Sequence, residues 1–129
     1  MTDGASVPEL ERLPPMTHYI LGLLRRPSPS PPRTAEEATV LQERHLAHLR
    51  RLREAGELIS SGPLEEDTAL RGVLLFRTGE IARARQLMRD DPLVAGGHLV
   101  LDLFTWFAPA GLSVERPQDP PTELTFQTD

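Results

Sequence analysis

The chain has 129 residues, 39% of them hydrophobic, with a formal net charge of −5 and no cysteine. That length suits one domain, and the acidic balance offers no general basic field to attract nucleic acid or an anionic membrane surface. Without cysteine, disulfides, thiol catalysis and zinc–thiolate sites are excluded.

Residues 1–15 are polar and acidic and lack the apolar centre of a signal peptide, so they read as a flexible tail. No apolar run approaches the roughly 20 residues needed to span a bilayer. The best one, residues 99–107, is interrupted by Asp102. No membrane contact and a cytoplasmic location are therefore expected. Residues 17–24 (THYILGLL) are short, apolar and broken by Gly22, which predicts a strand. The loop at residues 27–33 (PSPSPPR) cannot join a helix or an inner strand, because each proline lacks an amide donor.

Thr34 stands three residues before Glu37, the spacing of a capping box. Ala38, Leu41, Leu49, Leu52 and Ala55 then follow the i, i+3, i+4 pattern of one buried helical stripe. Gly56 supplies the left-handed residue that ends it. Arg50, Arg51 and Arg53, with Glu43, Glu54 and Glu57 nearby, read as a solvated face of this helix.

Residues 57–61 (ELISS) predict a brief strand, stopped by a turn at Gly62-Pro63. Residues 70–77 (LRGVLLFR) predict another strand. Thr78 or Gly79 is the expected cap of a second helix carrying Ile81, Ala84, Leu87 and Met88 at helical spacing. Asp91-Pro92 restarts the chain as a helical turn, and Gly96-Gly97 breaks it before a last strand at residues 98–107. Residues 110–129, proline-rich from Arg116 onward, read as a second tail. The folded domain is thus expected over residues 16–109.

The order β-α-β-β-α-β is the ferredoxin-like plan, an α+β fold with a four-stranded antiparallel sheet and two helices on one face. In the last strand Leu99, Leu101, Leu103 and Phe107 form one apolar face, while Val100, Phe104 and Trp106 make the other largely apolar too. Two helices cover one face only. A second copy of the sheet is the simplest cover for the other, so a homodimer is expected.

His45 falls inside the apolar stripe of the first helix, where a titratable ring must find a partner or stay neutral. It is either a core histidine bonded to backbone or a group that works on a ligand. His48 lies one turn on; two histidines without a third ligand do not make a metal site, and none is expected. Asp91 is an ordinary N-cap before Pro92. Its carboxylate has a second oxygen free for another partner. His98 and Asp102 fall on one face of the predicted last strand, about 13 Å apart. Ser61, Gly62, Pro63 and His98 are candidate ligand-binding residues beside His48, and Arg71 is a further polar candidate. No Gly-rich phosphate loop, Gly-x-Ser-x-Gly elbow or His-Glu-x-x-His is present. Nucleotide hydrolase, serine hydrolase and zinc protease chemistry are set aside, and no cofactor is expected.

The segment HLAHLRRLREAGELISSGPL, from His45 to Leu64, resembles the YciI-related (YCII) family in its helical histidine, Gly-ended helix, short strand and Gly-Pro. ARARQLMRDDPLVAGG, from Ala82 to Gly97, resembles the same family's second helix and Asp-Pro. The resemblance implies a ferredoxin-like fold that dimerises through its sheets as an α/β barrel. It also implies that His45 and Asp91 match the family's proposed catalytic pair. The family includes a dehydrochlorinase acting on a chlorinated hydroxyquinol, which implies proton transfer on a small organic ligand by a lyase or isomerase. This chain departs from the pattern in its tails, its Pro-rich first loop and His48, where an aromatic residue is common. Read as a non-catalytic ligand-binding or dimerisation module, the same pair would only fix one helix against the other.

Overall fold

The computed structural model describes residues 14–114; the expected tails, apart from residues 14–15 and 110–114, lie outside the described residues. Strand β1 (Met16–Arg25) leads through the Pro-rich loop into helix α1 (Ala35–Glu54). Strands β2 (Leu58–Pro63) and β3 (Leu70–Phe76) follow, then helix α2 (Ile81–Met88), the single turn α3 (Pro92–Ala95) and strand β4 (Val100–Pro109). The strands form one antiparallel sheet in the order β2-β3-β1-β4. This is the ferredoxin-like arrangement, in agreement with the α+β expectation. Among the described residues, no helix is long and apolar enough to cross a membrane.

The start of α1 follows from its sequence. Thr34 Oγ1 accepts from the Glu37 amide at 3.0 Å, and the Glu37 carboxylate accepts from the Thr34 amide at 2.8 Å, a complete capping box. Gly56, at φ +80°, ends the helix as expected. Leu49 and Leu52 bury against Ile20 and Leu24 of β1, Leu58, Leu74, Phe76 and the α2 residues Ala84 and Met88. At Gly22 a Cβ would stand 3.2 Å from the Phe76 ring and 3.3 Å from Leu101, so the bare backbone makes room for that core.

Three local expectations are corrected. Gly62 and Pro63 do not form a turn but continue β2, pairing with Val73 and Gly72. Proline is tolerated there because β2 is an edge strand. The next amide, Leu64 N, donates to Arg71 O at 2.9 Å, which leaves the proline nitrogen on the outer side of the ladder. The N-cap of α2 is Glu80 rather than Thr78 or Gly79; Thr78 Oγ1 instead accepts from the Glu80 amide at 3.1 Å. Strand β4 begins two residues later than expected, so His98 lies in the turn before it and no longer shares a strand face with Asp102.

The sheet face away from the helices carries Tyr19, Ile59 and Ala108, buried with Leu75 and Leu112 packed on them. The Tyr19 hydroxyl accepts from Leu112 N at 2.9 Å and donates to Pro109 O at 3.3 Å, tying the chain after β4 across this face. Further along the same face Phe104 and Trp106 are exposed. Asp102 holds Arg25 there at 2.8 Å, and this hydrogen bond, then its charge, raises the guanidinium pKa above its ordinary value. Phe107, read on one apolar face with Leu99, Leu101 and Leu103, does not join them in packing on the core cluster. Its ring is exposed and lies against His18, with centroids 4.8 Å apart.

Candidate functional site

Asp91 is fully buried at the start of α3. One carboxylate oxygen accepts from the amides of Leu93 at 3.1 Å and Val94 at 3.2 Å, the ordinary work of an N-cap. The other oxygen lies 2.7 Å from Nδ1 of His45, which reaches it from the third turn of α1. An ionised carboxylate only accepts, so the neutral imidazole carries its proton on Nδ1 and leaves the Nε2 lone pair free.

His98 Nδ1 is the single buried side-chain polar atom without a partner among the described residues. His45 Nε2 also makes no hydrogen bond among the described residues, although the ring is largely buried. His45 lines a cavity of about 800 Å³ between α1, the Pro-rich loop and the ends of β2 and β3. Leu24, Leu46, Leu49 and Leu93 supply apolar wall.

Of the residues named from sequence, Ser61, Gly62, Pro63, Arg71 and His98 line this cavity with His45. Asp91 stands behind His45, off the wall. His48 is not on the wall either. Its Nε2–H donates to the Leu87 carbonyl at 2.9 Å, which fastens α1 to α2. Ser61 owes its place to an irregularity in β2. Leu58 pairs with Phe76, but Ser60 pairs with Leu75 and Ser61 with Leu74, a one-residue register shift. Directly paired residues share a face, so the bulge turns Ser61 to the helix side along with the core residue Leu74. At Gly62 a Cβ would meet nothing within 4 Å, so this glycine borders open space rather than a close contact.

Sequence reasoning missed several wall residues. Arg50 and Arg53, read as part of a solvated face, line the cavity, as do Arg26, Arg33, Ser30 and Pro31 from the first loop and its flanks. The i, i+3 spacing of Arg50 and Arg53 places both on one side of α1, and Arg51 falls off it. The helical signal was present; the loop folded over that side was not. Among the described residues, no group of three His, Asp or Glu side chains comes together as a metal-ligand set.

Residues 25–106 match the model of the YCII-related domain family. Among solved structures, a 5-chloro-2-hydroxyhydroquinone dehydrochlorinase from Burkholderia phenoliruptrix, in complex with 2,5-dihydroxybenzoquinone, is similar at 16% identity. The match covers 70% of this chain and 93% of that chain, with a TM-score of 0.49. A search of curated proteins finds no match.

Proposed function

The chain belongs to the YCII-related family, and from that membership we propose that it is a small-molecule enzyme of lyase or isomerase type, with His45 and Asp91 moving the proton. One observation carries this reading: His45 lines the cavity, with Nε2 unpaired among the described residues, while its Nδ1 is held at 2.7 Å by a fully buried carboxylate. Nε2 takes a proton from a carbon acid bound in the cavity. Asp91 holds the ring in the tautomer that leaves Nε2 basic and faces the imidazolium as it forms. Ser61 and His98 line the same space and contact the ligand's polar groups. A purely structural pair would need only the Nδ1 contact and would not need the ring to line a cavity.

Proton transfer is read by deuterium uptake from D2O into small enolisable ring compounds, followed by proton NMR. A positioned histidine contributes about 10²–10⁴-fold to such a rate, and His45→Gln should remove that acceleration. Uptake that is equal in wild type and His45→Gln would refute the reading.

The exposed pair Phe104 and Trp106, beside the half-buried Leu21, Leu23 and Leu75, supports a second part of the proposal. A second copy of the chain covers this sheet face and makes a homodimer.

A further inference from the structure

The chain carries 19 acidic residues against 14 cationic ones, every one of them arginine. The cavity wall reverses that balance. Arg26, Arg33, Arg50, Arg53 and Arg71 line it, and no Asp or Glu does. None of the five lies within salt-bridge distance of a carboxylate among the described residues. The two Arg–carboxylate pairs found there, Arg25–Asp102 and Arg83–Glu57, lie outside the cavity. Arg71 is steadied by the carbonyl of Thr68, to which its Nη1 donates at 3.0 Å.

We infer that the cavity takes a small organic oxyanion, a carboxylate or phosphate ester, whose charged group is held by this set of arginines. The proposal rests on the reading of the cavity as the active site and names its substrate class. Five arginines bordering one space, with no carboxylate among the lining residues, make its potential positive, and an anion relieves their mutual repulsion. The planar guanidinium fork matches carboxylate and phosphate oxygens two at a time.

The placement of the arginines relative to His45 follows from α1. Arg53 lies two turns beyond His45, about 12 Å along the axis. Helical side chains lean toward the N-terminus, so Arg50 and Arg53 lean back toward His45. The skeleton of the ligand then lies against Leu46 and Leu49, between its anionic group and the histidine. Compensation of the helix dipole is the competing account of arginines near the end of α1. Arg51 provides that compensation without lining the cavity, and Arg26, Arg33 and Arg71 are not on the helix at all.

Titration calorimetry with benzoate and phenyl phosphate, against uncharged benzamide, tests the proposal on the full chain. Both anions should bind and should weaken as NaCl rises, since screening acts over about 8 Å at physiological ionic strength. Benzamide should bind at least about tenfold more weakly. The double variant Arg50→Gln/Arg53→Gln should lose about tenfold in affinity for both anions, and Arg71→Gln provides an independent second variant. Benzamide binding as tightly as benzoate, or anion affinity within about twofold of wild type in both variants, would overturn the inference. So would failure of both anions to bind at millimolar concentration. His45→Gln separates this inference from the catalytic reading, because it should bind the anions and yet catalyse no deuterium uptake. If wild type binds the anions but exchanges no proton, the substrate class stands and the catalytic reading falls. If it exchanges protons equally fast on neutral and anionic compounds, the substrate class falls alone.

Discussion

Nδ1 of His45 and Oδ1 of Asp91 stand 2.7 Å apart, although 46 residues separate them in the chain. The contact sets which ring nitrogen carries the proton. Nitrogen-15 NMR of the neutral protein should therefore show His45 as the Nδ1–H tautomer, with Nε2 unprotonated. A dominant Nε2–H form would mean that the carboxylate does not orient the ring.

Asp91 also closes the first turn of α3, so its loss has two costs. Asp91→Ala removes an N-cap, at about 1 kcal/mol, and leaves the buried His45 Nδ1–H without a partner, at about 1–3 kcal/mol. Urea unfolding should show a destabilisation of about 2–4 kcal/mol from the two together. Asp91→Asn keeps an acceptor oxygen and should cost less. Equal losses in the two variants would contradict the dual role.

The capping box of α1 is exposed, and neither Thr34 nor Glu37 lines the cavity, which makes it a test of local stabilisation. Thr34→Ala should cost about 1 kcal/mol and Thr34→Ser almost nothing, because a serine hydroxyl accepts the same Glu37 amide. Thermal melts of both variants would decide it.

Trp106 and Phe104 are exposed on the sheet face opposite the helices. Sedimentation at micromolar concentration should give about twice the 14.4 kDa monomer mass, and Trp106→Asp should shift the equilibrium toward monomer. A clean wild-type monomer would remove the case for a dimer.

Deleting residues 1–13 and 116–129 should leave the melting temperature nearly unchanged, since neither segment has an apolar period. Extending the second deletion back to residue 110 should lower it. Leu112 packs on Tyr19, Ile59 and Ala108, and its amide donates to the Tyr19 hydroxyl at 2.9 Å. Equal melting temperatures for the short and long deletions would show that this contact adds nothing.

Local signals were enough for the elements. The Thr34–Glu37 box, the stripe through Leu49 and Leu52, Gly56 and Asp91-Pro92 all act within a few residues, and each reappears in the structure where its chemistry places it. The order of strands and helices then selected the fold, because few topologies join those elements by short connections. His45 could be marked as anomalous, a titratable ring in an apolar stripe, and the family resemblance picked Asp91 as its match. Other features needed partners that no local pattern names. Ser61 faces the cavity only because β2 slips one register against β3. His48 looked like a ligand residue until the Leu87 carbonyl met it from another helix. Arg50 and Arg53 looked solvated until the Pro-rich loop and β3 brought Arg26, Arg33 and Arg71 to the same space. Periodicity reports which side of an element is apolar. What stands opposite its polar groups is decided by long-range packing, and there the charge of this cavity was set.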